Sequence, residues 1–234
     1  MSLFSPLKYM GWFGKLPSTG DFAGRGMPRA LQEVVHDWIS SGMAALACLH
    51  QEDWQDGYLV SPVWHFAVNS GIWDNPALVG CVAPSVDKIG RYSPLMAVRA
   101  FDWRDISLVL PPRSRWLYQV DEILRRVISE GIAVEEVYDL LAEKLESEAV
   151  TRQNENSAAG ILGDLGIVDS STVDVGKAWF SWPDLPTLFA DRSNRSFWWA
   201  EPSPKSPPRK IIHSGKPDSS LFCLLMDGGV SHDH

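Results

Sequence analysis

The chain has 234 residues, of which 45% are hydrophobic and 21% charged, a balance that suits a folded globular domain and excludes a disordered one. Its formal net charge is -8, and its longest basic runs are the pairs Arg125-Arg126 and Arg209-Lys210, which argues against a nucleic-acid ligand. No stretch approaches the ~18 consecutive apolar residues of a spanning helix, and residues 1–10 lack the apolar run of a secretory signal. No membrane insertion and a cytoplasmic location are therefore expected.

Residues 9–14 read as a short strand that runs into a glycine-containing loop, Lys15–Gly26. Pro28 is well placed in the first turn of a helix, and Leu31, Val34, Val35, Trp38 and Ile39 continue it as one apolar stripe to about Leu49, with Gly42 weakening the middle. Three strands follow at Pro62–Val68, Leu78–Ala83 and Pro94–Phe101. The first puts Trp64, Phe66 and Val68 on one face and Val63, His65 and Ala67 on the other. The second is apolar on both faces, as expected of a sheet covered above and below. The connections are too short for helical crossovers, so the pairing should be mainly antiparallel.

Trp116, Leu117, Val120, Ile123, Leu124, Val127 and Ile128 form the stripe of a helix that ends near Gly131. Val134, Val137, Leu140, Leu141 and Leu145 form a second helix, with an acidic outer face. The expected fold is thus α/β (α+β): a mainly antiparallel sheet of 9–14, 63–68, 78–83 and 94–101, with helix 28–49 on one face and the 116–145 pair on the other. Residues 151–176 lack periodicity and read as a loop or linker. The runs Lys177–Trp182, Ser196–Ala200, Lys210–His213 and Leu221–Met226 read as added edge strands and a closing helix. The organisation expected is a single domain, 1–234, with a core at 1–150 and a C-terminal extension at 177–234.

The 11 tryptophans imply either an aromatic core or an exposed binding surface, and composition leaves both open. Trp198 and Trp199 are adjacent on an expected edge strand, so they point to opposite faces. The more exposed of the two is a candidate contact residue. Cys48, Cys81 and Cys223 form no CxxC and no metal-ligand spacing, and read as buried reduced thiols.

The candidate chemistries are weak. The Gly14-Lys15 pair lacks the following Ser/Thr and the glycine spacing of a phosphate loop. Ser85 lacks the flanking glycines of a nucleophile elbow. His36 lies opposite its helix stripe and is expected in solvent. His65, in a strand among aromatics, reads as a hydrogen-bonded core histidine rather than a base. His232 and His234, near a chain end, suit only adventitious metal. No cofactor is expected. The richest polar segment is Asp87-Lys-Ile-Gly-Arg-Tyr92, where a turn could fold Arg91 back on Asp87 as a charge-assisted staple of the sheet, or present Arg91 to a partner.

The string Gly11-Trp-Phe-Gly-Lys-Leu-Pro-Ser-Thr-Gly-Asp-Phe22 resembles the opening motif of the TagF family of type VI secretion-associated proteins. Pro62-Val-Trp-His-Phe66 and Pro84-Ser-Val-Asp-Lys-Ile-Gly-Arg-Tyr-Ser-Pro-Leu95 resemble its next two motifs in the same order. Weaker likenesses continue at Lys177–Trp182 and at Ser214–Asp218 with Phe222. The resemblance implies a longin-like fold and a post-translational repressor of bacterial type VI secretion. Such a repressor would bind a forkhead-associated scaffold protein, in a route separate from the threonine-kinase switch. It implies no catalytic residues. Lys15, Asp21, Asp87 and Arg91 occupy its polar motif positions, with an architectural or an interaction role. The competing expectation is a small hydrolase using Asp21, His65 or Asp87.

Overall fold

Short connections between several of the apolar runs fold strands back beside one another, and seven strands share one sheet through six antiparallel pairings. A computed structural model describes residues 8–50, 54–105, 109–110, 115–145, 182, 184–190, 194–202 and 207–228. Its strands are β1 (Tyr9–Gly14), β2 (Ala23–Arg25), β3 (Trp64–Val68), β4 (Ala77–Ala83), β5 (Leu95–Phe101), β6 (Arg195–Ala200) and β7 (Arg209–Ser214). They lie in the order β2-β1-β5-β4-β3-β6-β7, and every neighbouring pair is antiparallel. The helices are α1 (Arg29–His50), α2 (Trp54–Leu59), α3 (Trp116–Glu130), α4 (134–145), α5 (Leu185–Ala190) and α6 (Ser219–Met226).

The five inner strands are buried on both faces, and two apolar cores result. On one face Trp38 of α1, Trp73, Phe66, Trp198 and Phe222 of α6 stack with ring centroids 5.0–6.0 Å apart in tilted and edge-to-face pairs. On the other, α3 lays Trp116, Leu117, Val120, Leu124 and Val127 over Trp12, Val79, Cys81 and Ala97, and Val137 and Leu141 of α4 extend that layer. The expected helix placement, one helix on one face and the pair on the other, is found. The two strand faces of the 62–68 segment are both buried, though the strand itself begins at Trp64.

Seven of the tryptophans belong to the core. Trp12, Trp38, Trp64, Trp73, Trp116, Trp198 and Trp199 are all buried. This corrects the expectation for Trp198 and Trp199. Their strand, β6, is internal, paired to β3 on one side and β7 on the other. The side chains do point to opposite faces, but each face is covered, leaving Trp198 0% and Trp199 3% exposed. Neither is available to a partner in this fold. The edge position falls to β7, where exposure alternates residue by residue. Cys81 and Cys223 are buried, but Cys48 is exposed, correcting the reading of all three as buried. It falls at the solvent end of α1, outside that helix's apolar stripe.

Four elements were not legible in the sequence. Strand β2 has three residues, one of them glycine, too few for a period. It is held by β1 and by Arg25, which lies 4.6 Å from the Tyr138 ring centroid on α4 and 3.6 Å from Asp139. Helices α2 and α5 have six residues each, less than two turns, and Trp103–Asp105 is a single 3-10 turn. The 151–176 segment, most of 177–182, and His232 and His234 lie outside the described residues.

Gly42 explains itself. A β-carbon placed there would sit 2.1 Å from Cγ of Phe222, so the missing side chain is what lets α6 lie against α1. Asp218 caps α6, its side chain accepting from the Leu221 amide at 2.9 Å, while its carbonyl accepts from Trp38 Nε1 at 2.9 Å. Helix propensity alone predicts that Gly42→Ala stabilises the chain by about 1 kcal/mol. Overpacking against Phe222 predicts the opposite, a loss of about 2 kcal/mol, readable as a lower urea midpoint.

Candidate functional site: a locked polar turn

The polar residues singled out in the sequence meet where β1 ends and where β4 turns into β5. Asp87 is buried, with its side-chain carboxylate fully covered. Its Oδ1 accepts from the amides of Ile89 at 3.0 Å and Arg91 at 2.9 Å. Its Oδ2 accepts from Lys15 Nζ at 3.0 Å and Arg91 Nε at 2.7 Å. The turn is closed by backbone bonds from Asp87 N to Arg91 O, 3.0 Å, and from Gly90 N to Asp87 O, 2.9 Å. Gly90 has φ 82°, a left-handed conformation that a side chain would strain.

Surrounding bonds hold the clasp in place. Lys15 is buried and its ammonium lies 5.3 Å from the Phe22 ring centroid. The Ser85 hydroxyl donates to Lys15 O at 2.8 Å, and the Tyr58 hydroxyl both accepts from Ser85 N, 2.9 Å, and donates to Ser85 O, 3.1 Å. Ser18 Oγ donates to Ile132 O at 2.8 Å, tying the loop after β1 to the junction of α3 and α4. Arg91 reaches the same loop, donating to Gly20 O and lying 3.4 Å from Asp21 Oδ1. Asp21 is 94% exposed at its side chain, so that contact is marginal beside the buried ones.

This arrangement leaves Asp87 nothing to do as a base. An ionised carboxylate offers about four lone-pair sites, and four N–H donors occupy them. Burial alone would raise its pKa. The hydrogen bonds from the Arg91 amide, the Lys15 ammonium, the Arg91 guanidinium and the Ile89 amide outweigh burial and hold the carboxyl well below its ordinary value. The arginine side chain is half exposed, and Asp87 in turn raises its pKa. Both sequence readings of this pair survive: the staple exists, and one edge of the guanidinium still faces water.

His65 lies elsewhere, in the layer beneath α3. Register places it beside Cys81 on β4 and Trp199 on β6. It is completely buried, and its Nε2 lies 3.1 Å from Asp121 Oδ2. Arg125, one helical turn on, bonds both carboxylate oxygens of Asp121. Burial opposes ionisation of Asp121, but His65 and Arg125 together draw its pKa down. The carboxylate can only accept, so Nε2 carries the proton of this bond. The rings of Tyr118 and Trp199 stand edge-on to the imidazole at 5.6 Å. His65 is therefore the hydrogen-bonded core histidine that its strand suggested. His36 is not fully in solvent: its side chain is half exposed, and its ring meets Phe22 edge-on at 4.8 Å.

Asp21 and Asp87 meet through Arg91, whereas His65 pairs with Asp121, so no contact joins the three as one constellation. Sequence reasoning missed Asp121 and Arg125. The signal was available, since Asp121 sits between Leu117 and Leu124 on the buried stripe, with a cation four residues on. Among the described residues there is no group of three or more His, Cys, Asp or Glu suited to a metal, and no helix is long and apolar enough to cross a membrane.

Fold and site define a class: an antiparallel sheet between two helical layers, whose sequence motifs converge on a buried clasp. Residues 11–144 match the family described as TagF N-terminal domain, Type VI secretion system-associated. The chain belongs to that family. It is also similar to a solved structure, that of PA0076 from Pseudomonas aeruginosa PAO1, at 25% identity over 94% of each chain with a TM-score of 0.69. No curated protein matches the chain.

Two outcomes follow from the site. Asp87 has a folded pKa below its unfolded value of about 3.9, so its contribution is complete above that value and is lost as pH falls through the folded one. Asp121 shifts in the same direction. The melting temperature should fall as pH drops below about 4, and Asp87→Asn, less stable at neutral pH, should show a shallower fall over that window. Separately, Asp121→Ala should lower stability by about 2 kcal/mol, the worth of hydrogen bonds to a buried charged group. An unchanged unfolding midpoint would show that the His65–Asp121–Arg125 network holds nothing together.

Proposed function

We propose that this chain is a non-catalytic, post-translational repressor of bacterial type VI secretion that works in the cytoplasm by binding a forkhead-associated scaffold protein. Family membership over residues 11–144 supports the association with type VI secretion. The observation that favours a non-catalytic role is the fate of the motif residues. Lys15 and Arg91 both donate to Asp87, and with the Ile89 amide they leave the carboxylate no acceptor site for a substrate proton. A motif arranged in this way maintains a shape, and a maintained surface shape serves recognition. The hydrolase alternative draws no support from the geometry, because Asp21, His65 and Asp87 serve two different networks.

A regulator that binds the scaffold acts on assembled or assembling machinery and leaves the supply of parts untouched. Deleting the protein should raise release of type VI substrates severalfold while structural components stay at constant amounts. Overproduction should silence secretion even with the threonine-kinase route active. Unchanged secretion in the deletion strain would defeat the regulatory reading and restore the hydrolase alternative.

A further inference from the structure

Six large apolar side chains stand exposed among the described residues: Leu49, Leu59, Val60, Ile89, Ile212 and Leu224. An isolated exposed aliphatic residue is ordinary and needs no explanation. Five of these lie at helix ends, on a helix or on the edge strand, and carry nothing further. Ile89 differs in two ways. It is the most exposed of the six, at 69%, and it stands at the tip of the turn that the buried Asp87 carboxylate organises.

That turn has little freedom left. The Ile89 and Arg91 amides donate to Asp87 Oδ1, the Lys88 amide donates to Thr19 O at 2.9 Å, and two backbone bonds close the loop at Asp87, Gly90 and Arg91. An apolar side chain on a rigid support can enter a partner without the ordering cost of a mobile loop. Its flanks are cationic: Lys88 and Arg91 are exposed on either side. Counting the groups bonded to the turn, three cations (Lys15, Lys88, Arg91) face two carboxylates (Asp21, Asp87), a local excess of one positive charge in a chain of net charge -8.

We infer that the Lys88–Arg91 turn is the contact face of this protein. Ile89 enters an apolar socket on a protein partner, and Asp and Glu side chains rimming that socket pair with Lys88 and the outer edge of the Arg91 guanidinium. A protein surface suits this tip better than an anionic lipid surface, because the chain's net negative charge and the exposed Asp21 beside Arg91 oppose the latter. The inference rests on the reading of this chain as a scaffold-binding regulator and assigns that reading its surface.

The test is calorimetric titration of the full chain against the purified forkhead-associated scaffold. Ile89→Ala should weaken binding about tenfold, and Lys88→Glu should weaken it at low salt more than at high salt. Ile212→Ala on β7 should bind as the native chain does. Melting temperatures of the variants should match the native one, since these side chains are exposed. Native-like binding by both Ile89→Ala and Lys88→Glu would overturn the turn as the contact face while leaving scaffold binding intact. Failure of the native chain to bind would overturn the scaffold reading and this inference together. Binding to mixed phosphatidylcholine–phosphatidylserine vesicles that Ile89→Ala abolishes would also overturn it, in favour of a lipid surface.

Discussion

The structure depends on a carboxylate placed where water cannot reach it. An unpaired buried carboxylate is costly, and it becomes tolerable only when every acceptor site finds a donor. Asp87 meets that condition with donors from two pieces of chain: the lysine after β1, and its own turn, which supplies the Ile89 and Arg91 amides and the Arg91 guanidinium. Arg91 then extends the grip to the Gly20–Asp21 loop. The connection between two central strands is fixed by the same bonds that fix the loop leaving β1. Removing any one donor would leave the rest of the arrangement around a partly unsatisfied charge.

The apolar architecture supplies the setting. A sheet covered on both faces needs large side chains on both, and the unusual tryptophan content meets that need. The C-terminal elements take part in both layers: Phe197 and Trp199 of β6 join the α3 side, while Trp198 and α6 join the α1 side. Trp64 Nε1 and Arg209 donate to the carbonyls of Leu225 and Leu224 in the last turn of α6, satisfying groups that a helix end otherwise leaves open. The polar network of His65, Asp121 and Arg125 is a second tie, between β3 and α3.

Much of this was readable from residues alone, for definite reasons. The strands β1, β3, β4 and β5 and the helices α1, α3 and α4 are long enough to show their period, and the short links between strands dictate antiparallel order. The Asp87–Arg91 pair was legible because a glycine separates opposite charges four residues apart. What sequence could not give was lateral order. Nothing in Arg195–Ala200 says that another strand, Arg209–Ser214, will lie outside it, so two adjacent tryptophans suggested a surface where the fold has a centre. Lys15 was legible as a motif position, but its 3.0 Å bond to a carboxylate 72 residues away was not. Asp121 was hidden for the opposite reason: a strong apolar stripe draws attention away from the one charge within it.

If the buried carboxylate organises the exposed turn, that turn must be rigid although its side chains stand in water. Amide hydrogen exchange of Ile89 and Arg91 measures this directly, since both amides donate to Asp87 Oδ1. Protection comparable to the neighbouring amides of β4 and β5 is expected, and its loss at these two positions in Asp87→Ala while the strand amides stay protected. Exchange of the native Ile89 and Arg91 amides at the rate of an unstructured peptide, with the sheet intact, would contradict it.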